Sequence, residues 1–280
     1  MTPRLAWNGY GKAAVRLVKV DRSGSKHELD DLTVEVQLQG QFGSTHTSGD
    51  NRDVLPTDTM KNTVYALARQ GPVTPPEAFG ERLGRHFLAA CPAARRVVIS
   101  LSGHRWDRAN IDDAPHDHTF VRGSTERRVA IVTLDGNEPG VEAGIEGLGL
   151  LKTTGSAFEG FLRDRYTTLK ETDDRIMATD VDARWKYSRP PRDYSVAWMD
   201  VRVALIEIFA RHQSASVQQT LYAMGEAALA RCAEIAEIRL ILPNKHHLLV
   251  DLGAFGLDNP NEIFVATSEP YGRIEAVIAR

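Results

Sequence analysis

The 280 residues predict an α+β fold of two tandem ββααββ modules, residues 1–140 and 141–280, each an antiparallel sheet with two helices on one face. Three patterns lead there. Between Leu32 and Leu38, apolar residues alternate with Thr33, Glu35 and Gln37, the period of a strand with one wet face. Two apolar stripes at helical spacing follow. The succession of strand pair, helix pair and strand pair then returns in the second half, as a repeat of architecture without evident repetition of sequence.

Residues 12–20 pair with the alternating strand through Asp21-Arg22-Ser23-Gly24-Ser25, whose turn chemistry makes a long hairpin over 12–40. Thr57 and Asp58 stand at an N-cap position, and Met60, Val64, Leu67 and Ala68 recur at helical spacing up to Gln70. Pro75-Pro76-Glu77 opens a second helix with the buried stripe Phe79, Leu83 and Phe87, and Pro92 follows its end. Val97, Ile99 and Leu101 alternate in the third strand, and Phe120 to Leu134 forms the fourth. In the second half, strands are expected near 144–155 and 176–188, helices near 194–211 and 216–232, and closing strands near 236–243 and 246–252. A four-stranded sheet keeps open edges. Two modules side by side form a curved sheet of eight strands, and association of copies into a closed barrel would remove the remaining edges.

Composition narrows the function classes. At 42% hydrophobic the chain can bury a substantial core. Lys plus Arg is 34 against 37 for Asp plus Glu, so there is no basic excess to draw it onto nucleic acid. Cys91 and Cys232 lack the further partners of a zinc ribbon, and a reducing cytoplasm suits them. No apolar run approaches the roughly 20 residues that cross a bilayer, and MTPRLAWNGYGK lacks the apolar stretch of a secretory signal. A soluble cytoplasmic protein is expected.

Cofactor motifs are missing. Gly144, Gly147 and Gly149 have the wrong spacing for a dinucleotide loop, and there is no P-loop. His116 and His118, two apart on a strand, would point the same way, but no third ligand stands at a recognisable spacing. Surface or polar-network histidines are the simpler reading, and His246 and His247 are equally ambiguous in isolation. No metal and no cofactor are expected.

A series of separated motifs resembles the urate oxidase family. It comprises Tyr10-Gly11-Lys12, the run from Pro56 to Thr63, and Pro72-Val73-Thr74-Pro75-Pro76-Glu77. Phe158 follows with Gly160-Phe161-Leu162-Arg163-Asp164, the run from Tyr166 to Thr172, Asp174-Arg175, and Thr179-Asp180-Val181-Asp182-Ala183. Ser214-Ala215-Ser216-Val217-Gln218 and Leu242-Pro243-Asn244-Lys245-His246 complete the series, and the match runs from Tyr10 to Ile274. Any one tripeptide is weak; this many in order and at compatible spacing is not. The resemblance implies the tunnelling fold, two ββααββ repeats whose homotetramer stacks two barrels around a tunnel, with the purine at an interface between subunits.

The resemblance also implies roles. Arg175 and Gln218 would clamp one edge of urate, guanidinium offering a planar fork of donors and the amide both a donor and an acceptor. Phe158 would stack on the ring, Val217 would present its backbone beside the same edge, and Ile274 would form an apolar wall. Asp58 would add polar contacts. Lys12 and Thr57 would move protons, reaching the purine from the neighbouring subunit, with burial favouring the neutral amine. Asn244 and His246 would surround a small polar pocket for dioxygen or water, His246 extending the relay. By residue type alone, Arg175 reads equally as a surface partner of Asp173 or Asp174, Phe158 as core, Gln218 as a solvated helix residue, Lys12 as an exposed strand charge and Thr57 as a cap.

The activity so implied is cofactor-free oxidation of urate by dioxygen to 5-hydroxyisourate and hydrogen peroxide. Its rivals are a zinc-dependent purine or pterin hydrolase of the same fold, whose Cys/His set is missing, and a non-catalytic purine-binding protein, which would need only the clamp. Glu159 and Asp173 stand where family members also carry bulky aromatics, so packing or affinity should differ there. The chain ends in Ile278-Ala279-Arg280 rather than the Ser-Lys-Leu address of peroxisomal relatives, as expected of a bacterial-type cytoplasmic enzyme.

Overall fold

In the computed structural model, which describes residues 3–136 and 138–280, the alternating segment lies within a strand, β2 (Glu28–Gly40), paired antiparallel with β1 (Gly9–Asp21). Leu32, Val34, Val36 and Leu38 are buried and Glu35 is exposed, so the period-2 pattern does sort the two faces. Two units divide the chain: Met1–Gly144 with Arg189–Ser195, and Ile145–Ser188 with Val196–Arg280.

In the first unit the strand order is β1-β2-β3-β4, where β3 is Ala94–Ile111 and β4 is Ala114–Asp135. The fourth strand thus starts before the expected Phe120. A short helix, α1 (Gly43–Thr47), precedes α2 (Thr57–Gln70), which packs on β1, and α3 (Pro76–Ala90), which packs on β3 and β4. Phe79, Leu83 and Phe87 form the buried stripe of α3. Between them, Gly80 and Gly84 let the helix lie close on the sheet. A Cβ on Gly84 would sit 2.2 Å from Leu134 Cδ1, and one on Gly80 would sit 2.8 Å from both Leu101 Cδ1 and Val132 Cγ2.

Asp31, Glu77 and Glu126 are buried acidic residues of this unit. Glu77 is fully buried at the start of α3, and Arg128 of β4 donates to its Oε2 at 2.7 Å. Arg128 also donates to Ser195 Oγ at 3.2 Å and to the Tyr194 carbonyl at 3.1 Å, which fastens the 189–195 segment to this unit. Burial raises the Glu77 carboxyl above the ordinary range, against the pull of Arg128.

In the second unit the order is β5-β6-β7-β10. β5 (Pro139–Lys152) enters it from Ile145 onward, and β6 (Met177–Tyr187), α4 (Tyr194–Arg211), α5 (Val217–Arg231) and β7 (Ile235–Asn244) follow near their expected places. The closing strand is a correction. Residues 247–249 form a short strand, β8 (His247–Leu249), that leaves the main sheet and pairs with β9 (Phe264–Ala266). The position beside β7 belongs to β10 (Gly272–Ala279), whose Ile278 is buried against α5 at Gly225. The expected strand over 246–252 has no buried face to offer the main sheet, since Leu248 and Leu249 are both exposed, whereas β10 brings Ile278 into the core beside β7. Cys91 and Cys232 are buried free thiols, and no helix among the described residues is long and apolar enough to cross a membrane.

Candidate active site

The first unit carries Lys12, Thr57 and Asp58. Gly11 fixes where Lys12 begins: a Cβ there would fall 1.9 Å from the Val36 carbonyl oxygen, so only glycine permits this approach of β1 to β2. Directly after Lys12 the pairing slips between Lys12 and Val15, with Ala14 at φ 55°, a bulge that bends the edge strand. Lys12 is half-buried and its ammonium makes no hydrogen bond or ion pair among the described residues, so the burial expected around it is only partial within one chain. Its electrostatic neighbour is Asp58, at the start of α2.

Thr57 is exposed and is the first residue of α2. The expectation that it caps the helix is corrected: Pro56 occupies the N-cap, and no side chain bonds back to the first turn. Proline presets the backbone entry, which leaves the Thr57 hydroxyl without a capping task. The Asp58 carboxylate is engaged by Lys61 and, at 3.0 Å, by Asn62 Nδ2 within the same helix. The Lys61 hydrogen bond leads in holding it below the usual carboxylate range.

The second unit carries the other candidates in two groups. Arg175 places its guanidinium carbon 5.3 Å from the centroid of the Phe158 ring, a cation-π contact. Arg175 is half-buried and forms no ion pair among the described residues; burial lowers its proton affinity. The surface pairing with Asp173 or Asp174 is therefore not what the side chain does. Asp174 instead accepts from Thr154 Oγ1 at 2.6 Å and from the backbone N–H groups of Gly155 at 2.7 Å and Ser156 at 3.2 Å. Phe158 is held by a two-way backbone bridge to Thr172, and its ring stacks on Phe161 at 5.0 Å and 11°.

A parallel bridge between Ser156 and Ser214 joins this segment to the entry of α5. Ser216 is the N-cap there, its hydroxyl accepting from the Gln219 N–H at 3.1 Å. Val217 and Gln218 are the first two residues of the helix, Val217 buried and Gln218 exposed. Their N–H groups have no intrahelical acceptor and carry the positive end of the helix dipole, suited to an anionic heterocycle.

Asn244, His246 and Ile274 form the second group. Asn244 ends β7 opposite Gly272, and Ile274 pairs with Leu242 two positions on. Ile274 Cδ1 and Asn244 Cβ both approach the bare face of Gly272, at 3.6 and 3.7 Å from where its Cβ would be, so the two side chains meet over a glycine. His246 is half-buried, and its carbonyl accepts from the Thr267 N–H at 2.9 Å and Oγ1 at 3.2 Å. No hydrogen bond among the described residues links this group to the Arg175 group.

His116 and His118 do lie close, rings 4.6 Å apart, with His27 5.9 Å from His118. No group of three His, Cys, Asp or Glu able to hold a metal ion occurs among the described residues. The sequence motifs include Phe161 and Asp174 but assign no role to Phe161, whose ring covers Phe158, and none to Asp174 beyond pairing with Arg175. No local signal marks Asp174 for this role, because it lies 19 residues from Gly155 along the chain.

Several known proteins are similar to this chain over nearly its whole length. A uricase of Arthrobacter globiformis is 51% identical over 276 residues, covering 99% of this chain and 90% of the relative. A uricase of Aspergillus flavus is 40% identical over 288 residues, covering 97% and 95%. The crystal structure of the Arthrobacter globiformis uricase matches with a TM-score of 0.94 at 50% identity, over 100% of this chain and 96% of that one. A urate oxidase structure from Bacillus sp. TB-90, 22% identical, shares the fold at a TM-score of 0.87, over 98% and 100%. The fold is therefore the tunnelling fold, and because the uricase family model also matches residues 8–133 and 141–275, the chain belongs to the uricase family.

Proposed function

We infer that the chain is a urate oxidase that converts urate, dioxygen and water into 5-hydroxyisourate and hydrogen peroxide. Family membership supports the activity. The observation that carries the assignment of the site is Arg175: a half-buried guanidinium, stacked on an aromatic plate and without a counter-ion among the described residues. A desolvated cation in that position gains most from a flat anion that accepts a forked pair of hydrogen bonds, and urate is one.

In this reading Phe158 and Arg175 seat the ring, and the helix-start N–H groups with the Gln218 amide fix its edge. Lys12 and Thr57 accept and relay the proton whose loss leaves an electron-rich dianion. Thr57 donates and accepts at once; its own basicity is far too low, and Lys12 supplies the driving force. The dianion passes an electron to dioxygen near Asn244 and His246. Radical recombination puts a peroxide on a ring carbon, hydrogen peroxide leaves, and water adds at the same carbon. The residues contribute positioning, proton transfer and electrostatics, and the reaction runs without a resident cofactor.

Lys12, Thr57 and Asp58 lie on one unit and the remaining site residues on the other, and the proposal is that the two sets meet across an interface between copies, as homotetramers of tandem modules 1–140 and 141–280. A neighbouring copy would complete the burial of Lys12. A cytoplasmic location completes the reading. The test is direct: metal-stripped protein, urate and oxygen should consume urate with one peroxide formed per urate lost. Activity abolished by chelation and restored only by a metal would overturn the cofactor-free mechanism.

A further inference from the structure

Lys152 ends β5, and its half-buried ammonium lies 5.7 Å from the Phe209 ring centroid. It donates to two backbone carbonyls, Gly155 at 2.9 Å and His212 at 2.7 Å. Burial lowers its affinity for a proton, with the Asp174 carboxylate acting in the opposite direction. The group is therefore a cation drawn in from water and used for backbone contacts rather than an exposed surface charge.

The two carbonyls belong to the two segments that carry the proposed clamp. Gly155 sits in the 154–156 turn. On one side that turn leads within two residues to Phe158; on the other it is bound by the Asp174 carboxylate, next to Arg175. His212 follows the last turn of α4 and leads to Ser214, which is tied to the same turn. The Ser214 N–H donates to the Gly155 carbonyl at 3.0 Å, and the Ala157 N–H donates to the Ser214 carbonyl at 2.7 Å. The Ser214 hydroxyl then donates to the Ser216 carbonyl at 2.9 Å, at the residue that caps α5 ahead of Val217 and Gln218. Hydrogen bonds and short stretches of chain therefore run from the 154–156 turn to the immediate neighbours of the four clamp residues, and Lys152 bonds both segments of this junction at once.

We propose that Lys152 is a positioning residue for the purine clamp, holding the 154–156 turn and the segment after α4 in one register and so setting the spacing between the Phe158–Arg175 pair and the Val217–Gln218 edge. This rests on the reading of those four residues as the clamp. A hydrophobic side chain of similar length would fill the space but leave the His212 carbonyl without this donor and the Gly155 carbonyl with only the Ser214 N–H, so the register of the two segments would loosen while their direct backbone bonds remain. An arginine would keep a charged donor there.

The experiment measures urate affinity by titration without oxygen, together with kcat and KM in air, for Lys152→Met, Lys152→Arg, Thr154→Val and Arg175→Ala. Lys152→Met should weaken anaerobic urate binding about tenfold and raise KM in parallel, with kcat changed less than about threefold; Lys152→Arg should recover most of the loss. Thr154→Val, at an exposed position, removes only the hydroxyl bond to Asp174 and should weaken binding about threefold, which keeps the test open if Lys152→Met does not fold. The proposal is overturned if Lys152→Met and Thr154→Val lower the melting temperature yet bind urate normally while Arg175→Ala does not. If Arg175→Ala also binds normally, the clamp reading fails and this inference fails with it.

Discussion

The guanidinium of Arg175 lies over the Phe158 ring, carbon to centroid 5.3 Å, and among the described residues no carboxylate pairs with it. Nearby Asp174 is spent on the 154–156 turn. A cation kept from its sequence neighbours yet partly withdrawn from water is poised for an anion from outside. Arg175→Ala should raise KM for urate by roughly 30- to 150-fold, equivalent to about 2 to 3 kcal/mol for a charge-assisted contact. Arg175→Lys should recover only part of this, because an ammonium lacks the planar fork. Steady-state kinetics with each variant checks both.

Lys12→Met and Thr57→Ala should act differently. Both remove proton handling rather than the clamp, so kcat should fall by about 100-fold or more while anaerobic urate binding changes less than about threefold. Equal losses in binding and turnover would reassign these two residues to substrate positioning.

At Gly11, any side chain would collide with the Val36 carbonyl oxygen. Gly11→Ala should therefore destabilise the fold by at least about 2 kcal/mol, read as a lower urea midpoint with an unchanged slope. Because the shift would move Lys12 as well, residual folded protein should also turn over slowly.

Asp31 is buried, which by itself raises its carboxyl, but the Arg16 fork at 2.7 Å to each oxygen and the Trp106 indole N–H at 2.8 Å more than offset this, and the net shift is downward. A carboxyl whose folded value is depressed contributes stability above its unfolded value, about 3.9, and loses it as pH falls through the folded value. Melting temperature should therefore drop as pH is lowered below about 4, and the Asp31→Asn variant, less stable at pH 7, should show a flatter acid limb.

Arg128→Met tests the buried pair. It would leave Glu77 without its cation and should cost about 3 to 5 kcal/mol near neutral pH. The Glu77 carboxyl is already raised by burial and would rise further without Arg128. A group raised in the folded state contributes its stability at low pH and loses it as pH rises, so the variant should be penalised more at pH 8 than at pH 5.

Strands and helices with a strong period were readable because burial on one face imposes it: β2, α3 and β7 all lie close to their expected places. The last strand of the sheet was not, since an apolar run of strand length at 246–252 looks the same whether it joins a large sheet or a local hairpin; only the position of its partner decides. Gly80 and Gly84 were silent for a related reason, as their role lies in side chains of β3 and β4 that are distant in sequence. For the site, the residue types at Lys12, Phe158 and Arg175 allowed bland readings, and the motif series carried the functional ones. Lys152 was invisible because its partners are backbone carbonyls, which leave no trace in residue identity.

The claim that one copy supplies Lys12 and Thr57 while another supplies Arg175 and Gln218 is tested most directly by mixing. A chain with Lys12→Met and Thr57→Ala and a chain with Arg175→Ala, each retaining only a few per cent or less of wild-type activity at urate well below KM, should regain about a quarter of wild-type activity under those conditions when refolded together in equal amounts, because random association makes that share of the sites intact. If each site lay within a single chain, the mixture would stay as inactive as its parts.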